Sequence, residues 1–383
     1  MRAKLQHPPR RFAAGFGPRP VEMRDYGRLE LDPDEQVTFT TPRGGEYDVA
    51  RKDWGFYATP SLNGRLRGFG LSGRLVRNRL GREFVLLVED GCEEAFAGYC
   101  ASEGLVVVER LDGDGPTCVC GGRAFEPRFT YTEPPVGETR FAWPGRYRRD
   151  VVACERCGHL LSLSALDPDA LYAGDYVEAT YGGDLRAAYE RVLGLPPERS
   201  DNEGRVARVV DLCRARLAGR DEPTALDVGS GLCVFLARLA PHGFRCTALD
   251  PDPRAAAHAR DGVGVEAVCA DWRTADRIGR FDLVALNKVL EHVPDPISFL
   301  AKAREHVAPG GLVYVEVPDG PAAAAEGPHR EELFVEHLHV FSAASLAICA
   351  ARAGFSPVRL ERLTEPSGKH TIWAALAAEE AST

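Results

Sequence analysis

The stretch TALDVGSGLC, residues 224–233, decides the fold. An apolar run ends in two glycines, Gly229 and Gly231, and CVFLARLA (233–240) follows with its apolar residues at helical spacing. A strand that breaks on glycine and re-enters as a helix opens an alternating α/β chain. Outward from it, CTALD (246–250), VEAVCA (265–270), FDLVALN (281–287) and GLVYVEV (311–317) read as strands. PRAAAHAR (253–260), PISFLAKAREHV (296–307) and SAASLAICAARAG (342–354) read as helices. The strands are apolar on both faces, as in a parallel sheet covered by helices on each side. PVRLERL (357–363) and HTIWAALA (370–377) are consecutive strands and predict a closing hairpin at one edge. The expected fold is a doubly wound Rossmann-like α/β sheet with an antiparallel C-terminal hairpin, over residues 223–383.

The remaining chain divides three ways. Residues 1–114 contain QVTFTT, FVLLVED and LVVVER as strands and CEEAFAGYCASEG as a helix, an α+β module of unassigned role closed by LDGDGP. Its aromatic, glycine-rich DWGFYATPSLNGRL (53–66) suits either packing or binding. Residues 115–163 hold clustered cysteines, and 164–222 form a connector with Tyr172, Tyr176 and Tyr181 followed by two amphipathic helical stretches. The first 20 residues are basic without an apolar segment and read as a disordered arm, not a signal peptide.

The composition, 383 residues with 44% apolar and 27% charged, is that of a globular chain of two or three domains. No apolar run approaches a membrane span. The cysteines, eleven in all, form no secreted disulfide framework, which points to the cytoplasm. A net charge of −9 disfavours a broad nucleic-acid surface.

At 224–233 the glycines let the backbone turn tightly and approach a ligand, although a glycine-rich turn with no ligand is the alternative for the motif taken alone. A dinucleotide fingerprint would place its last glycine at 234, which is valine. Asp227 suits a cationic ligand group instead. Asp250 ends the second strand, where it can accept from both ribose hydroxyls, and ADW ends the third. Together with LNKVLEHV (286–293) these residues resemble the class I S-adenosylmethionine-dependent methyltransferases across roughly 200–378. The resemblance implies that Asp227, Gly229, Ser230 and Gly231 line the methionine and ribose part of the cofactor. It further implies that Asp250 binds the ribose, that Asp271 and Trp272 flank the adenine, and that Asn287 lies beside the methyl-transfer point. Cys233 stands where the family usually has a third glycine. Glu291 and His292 read as braces for the turn after the fourth strand.

CVCGG (118–122) and ACERCGH (153–159) place Cys118, Cys120, Cys154 and Cys157 in two pairs. Four thiolates suit a closed, structural zinc ion, and a segment poor in apolar residues needs such a staple. The first pair is C-x-C, with Thr117 at the usual cysteine position of a zinc ribbon. Ribbon, tyrosine-rich connector and methyltransferase core, in that order, resemble the sugar methyltransferases that act on nucleotide-linked sugars. That resemblance implies a small-molecule substrate, no nucleic acid, no membrane, and a connector tyrosine, Tyr176 or Tyr181, at the active site.

EELFVEHLHVFS (331–342) follows the fifth strand, with Ser342 as the expected N-cap of the next helix. C-methylating members of the sugar family carry an aromatic-x-Glu-His stretch here, matched by Phe334, Glu336 and His337. Methyl transfer to carbon requires a base to take a proton from the position beside a keto group. A histidine near neutral pKa, oriented by an adjacent carboxylate, suits that role. His337 with Glu336 is the expected base, a metal is disfavoured, and Glu331, Glu332 and His339 are bystanders. Transfer to oxygen would use the same base. The competing functions are an RNA methyltransferase that reads its substrate with the ribbon, and a non-catalytic S-adenosylmethionine-binding protein.

Overall fold

A computed structural model describes residues 1–14, 21–59, 66–111, 116–139, 146–164, 184–217 and 219–379, together with 141 and 166. The chain forms two compact units, Met1–Thr117 with Gly121–Ala124, and Cys118–Cys120 with Phe125–Thr383. The sequence boundary between the first two segments, 114/115, falls three residues short of the first break between these units.

In the first unit, β1 (Arg2–Ala14) and β2 (Val21–Glu30) form an antiparallel hairpin, and β3 (Gln36–Thr40), β4 (Glu46–Lys52) and β5 (Gly55–Thr59) form a meander. A third sheet, in the order β7-β6-β8, joins β6 (Leu71–Arg77), β7 (Glu83–Glu89) and β8 (Val106–Arg110), with α1 (Glu93–Glu103) between the last two in sequence. The strands and helix expected here therefore form. The disordered arm does not, because residues 2–14 pair with 21–30. Pro8 and Pro9, which lack an N–H for a ladder, fall in the register break between Leu5 and Arg10. Residues 60–65 of the aromatic stretch lie outside the described residues.

The second unit starts with β9 (Phe125–Tyr131), β10 (Arg149–Cys154) and β11 (Leu160–Ser164), followed by α2 (Leu185–Leu193) and α3 (Asp201–Arg216). Ser200 caps α3 by accepting from the Glu203 N–H. The alternating core follows as β12 (Thr224–Val228), α4 (Val234–Leu239), β13 (Arg245–Asp250), α5 (Pro253–Ala257), β14 (Glu266–Cys269) and β15 (Phe281–Asn287). It continues through α6 (Pro296–Ala301), α7 (Ala303–His306), β16 (Val307–Pro318), α8 (Gly320–Glu326), β17 (His339–Val340), α9 (Ala343–Arg352), β18 (Phe355–Thr364) and β19 (His370–Ala378).

Seven strands order as β14-β13-β12-β15-β16-β19-β18, parallel through β16, with β19 antiparallel to both of its neighbours. Strand alternation sends Leu226, Val284 and Val313 into one core layer, and Ala225, Leu283 and Leu312 into the other. Burying each such leucine or valine contributes about 1.5–3 kcal/mol. Among the described residues no helix is long and apolar enough to cross a membrane. One connection was not anticipated: β17 leaves the large sheet's loops and pairs with β11, extending the small sheet to β17-β11-β10-β9.

Candidate active site

The carboxyl ends of β12, β13 and β15 meet at the glycine turn. Gly229 has φ 70° and Gly231 φ 49°, conformations that glycine adopts without a Cβ penalty. A Cβ on Gly229 would lie 3.1 Å from Val289, so the close approach of that loop also requires glycine. Cys233 accepts φ 60° at the helix entry despite its side chain.

Asp227 is buried and accepts from Asn287 Nδ2 at 2.8 Å. Burial pushes its carboxyl up to about 7. Around it, Ser230 Oγ and Asn287 Oδ1 are buried with no partner. Native interiors seldom leave such atoms unpaired, so this group of polar atoms fits a ligand that carries donors and a positive charge. Asp250 accepts from the Gly231 N–H and the Asp252 N–H, both at 2.9 Å, one on each oxygen, so each oxygen retains a further lone pair. Asp271 is partly exposed, and its carboxylate is bound by Arg273 at 2.8 Å. Trp272 departs from the expectation of an open face against adenine. It is 2% exposed, donates its indole N–H to Phe299 O at 3.0 Å and packs on His306, so its ring fills core.

Across the turn that follows β15, the loop of 331–337 brings the base candidates together with two residues read only as braces. His337 and His292 lie with ring centroids 4.9 Å apart. Glu291 completes a group, with His337 half-buried and the other two buried, whose ligand atoms all lie within 4.8 Å of one another. The orienting acceptor of His337 is not Glu336. His337 Nδ1 is 2.9 Å from the main-chain carbonyl of Glu332, and His292 Nδ1 is 2.9 Å from that of Glu336. A carbonyl only accepts, so both rings carry Nδ1–H and keep the Nε2 lone pair. Nor is His337 near neutral pKa, because burial and the neighbouring His292 hold it well below the usual imidazole value. Burial brings His292 to about 4. Both are neutral imidazoles at pH 7.

Burial raises the carboxyls of Glu336 and Glu291 to about 7, and one oxygen of each, Oε2, is buried without a partner. Lys288 donates to Thr371 Oγ1 at 2.7 Å, and burial lowers its amine. Glu332 and His339, expected as bystanders, both make structural hydrogen bonds. Glu332 accepts from Arg330 and from the His370 N–H, and His339 bridges His159 and Pro294 O. Ser342 caps α9 within a capping box. Tyr172, Tyr176 and Tyr181 lie outside the described residues.

The four clustered cysteines converge as well. Sγ of Cys118 is 3.5 Å from that of Cys157, and Cys120 is 3.5 Å from Cys154. Gly158, in the turn after Cys157, has φ 71°, and its N–H bonds back to Cys154 O. Hydrogen bonds from the Cys118 and Cys157 thiols and from main-chain N–H groups hold Cys154 far below the usual thiol range. A thiolate so prepared, inside a group of four sulfurs, fits zinc.

Residues 199–360 match the family model described as a methyltransferase domain, so the chain carries such a domain. C-methyltransferase NovU of Streptomyces niveus is 26% identical over 238 residues, covering 60% of this chain and 52% of that protein. A ubiquinone biosynthesis O-methyltransferase of Pseudomonas paraeruginosa is 36% identical over 109 residues, 27% of this chain and 46% of that protein. The chain thus spans about half the length of the curated relatives it matches. Among solved structures, the 1,6-didemethyltoxoflavin-N1-methyltransferase of Burkholderia thailandensis superposes with TM-score 0.42 at 22% identity, covering 64% of this chain and all of that one.

Proposed function

We propose that the chain is an S-adenosylmethionine-dependent methyltransferase that methylates a carbon beside a keto group on a small, nucleotide-linked sugar. The observation that carries the reading is the facing pair His292 and His337, each with Nδ1–H tied to a main-chain carbonyl. Similarity to a C-methyltransferase over an alignment longer than the methyltransferase domain supports it.

Asp227, Asn287 and Ser230 would hold the cofactor's charged amino-acid end, the backbone at Gly229 and Gly231 would admit it, and Asp250 and Asp271 would hold the nucleoside. S-adenosylmethionine supplies an electrophilic methyl carbon. The protein's own part is proton removal. His337 Nε2 takes the proton from the carbon beside the keto group, and the electron pair left there would form the new carbon–methyl bond as the methyl–sulfur bond breaks and the thioether leaves. Glu291, within 4.8 Å, stabilises the imidazolium that results. Tyr181 is the proposed connector residue facing the substrate, and zinc on Cys118, Cys120, Cys154 and Cys157 is proposed as structural.

The test is incubation of the chain with labelled methyl donor and nucleotide sugars in 4-keto and hydroxyl forms, followed by mass spectrometry. Label on carbon of the keto form is the expected result. Label on oxygen of the hydroxyl form would give the reading that the O-methyltransferase similarity favours.

A further inference from the structure

The loop that carries the proposed base is held by side chains of the cysteine-bearing sheet. Arg149, on β10, and Glu138 form an ion pair at 2.8 Å with side chains 0% and 1% exposed. The pair does not end on itself. Arg149 Nη1 donates to Leu333 O at 2.6 Å, and Glu138 Oε1 accepts from the Val335 N–H at 2.9 Å. One guanidinium and one carboxylate thus grip the backbone on either side of Phe334, two residues before the Glu336–His337 dipeptide. Tyr147 closes the arrangement by donating its hydroxyl hydrogen to Glu138 Oε2 at 2.6 Å and accepting from Arg149 Nε at 3.1 Å. The guanidinium also lies 4.1 Å from the Tyr131 ring centroid.

Removing one partner of a buried pair leaves an uncompensated charge, so a pair at this depth fixes the groups it touches. Within the 331–337 turn the main-chain N–H groups of Leu333, Phe334 and His337 bond to Arg330 O, Glu331 O and Phe334 O, and none of these bonds uses Leu333 O or the Val335 N–H. We infer that the Arg149–Glu138 pair, with Tyr147, is the positioning device of His337, so that the small sheet sets the geometry of proton removal. This rests on the reading of His337 as the base. The device acts through the backbone: it fixes 333 and 335, hence the carbonyls of Glu332 and Glu336 that orient the two imidazoles.

The test uses the full chain with Glu138→Gln, and Tyr147→Phe as the milder change should the first fail to fold. In histidine-labelled protein, the His337 Nδ1–H should exchange with solvent at least about tenfold faster in the variant. On a nucleotide-linked 4-keto sugar, kcat should fall about 10²-fold while KM and S-adenosylmethionine affinity hold. In a His337→Ala background the same substitution should add nothing to the loss. Native exchange together with native kcat would overturn the inference, as would a further loss in the His337→Ala background. If His337→Ala alone leaves turnover intact, the base reading fails instead, and the exchange rate still reports whether the grip is real.

Discussion

His292 donates its Nδ1–H to the carbonyl of Glu336, the residue immediately before His337. One imidazole therefore fixes the peptide that carries the other. The two rings are a unit built from segments 44 residues apart, and each depends on the other for its place.

His337→Ala should lower methyl transfer by about 10²- to 10⁴-fold with S-adenosylmethionine affinity unchanged. His292→Ala should lower it in the same direction by loosening the Glu336 peptide. Single-turnover kinetics beside calorimetric titration separates the two quantities, and native turnover in His337→Ala would remove the base from the reading.

Affinity for S-adenosylmethionine should rise as pH increases from 6 to 8. Asp227 is raised to about 7, so it is neutral at the lower pH and charged at the higher, where it meets the ligand's cationic end. Asp227→Asn should bind more weakly at pH 8, by roughly tenfold for the lost charge-assisted bond, and with a flatter pH dependence. Calorimetry across that range checks both slopes.

The ligand-free protein should lose stability across a similar interval. The carboxyls of Asp227, Glu291 and Glu336 are all raised to about 7 in the folded chain, above their unfolded values. The stability they contribute is complete below the unfolded pKa and declines as pH climbs through about 7. Melting temperatures should therefore fall between about pH 6.5 and 8; below that range the buried neutral His292 and His337 act in the opposite direction, and a rise above it would contradict the burial of the carboxyls.

Metal analysis should find one zinc per chain, lost in Cys154→Ser. Because β11 follows the second cysteine pair and β17 pairs with β11, the same variant should also loosen the 331–340 loop. Protease susceptibility of that loop, compared with and without a chelator, gives an independent readout.

Glu316→Ala should destabilise the fold by about 3–5 kcal/mol. The Glu316 side chain is fully buried and pairs with Arg205 and Arg208 of α3, which hold its carboxyl at about 2 against the opposing effect of burial. Denaturant midpoints measure the loss, and a change of under about 1 kcal/mol would show the pair to be energetically idle.

The large sheet was legible because its central strands carry apolar residues on both faces, as Ala225 and Leu226 or Leu283 and Val284 do. Ser342 was legible because a cap is a local signal. The hairpin of β1 was not, since Pro8 and Pro9 argue against a strand locally. The placing of Glu138 and Arg149 against residues 333 and 335 had no local trace at all. A glutamate and an arginine eleven residues apart look like surface charges until folding buries them. Glu291 and His292 stood in plain view, yet their motif alone does not say what they face. Trp272 was misread for a related reason, because position at a strand end does not reveal which way a ring turns.

The pairing of β17 with β11 bears on the order in which the protein can be made. His159 meets His339 across 180 residues of chain, so the small sheet, though early in sequence, lacks its fourth strand until nearly the whole methyltransferase domain has been synthesised. Contacts that distant close slowly. On the ribosome the early cysteine segment must wait with its edge strand open until residues 339 and 340 have been made.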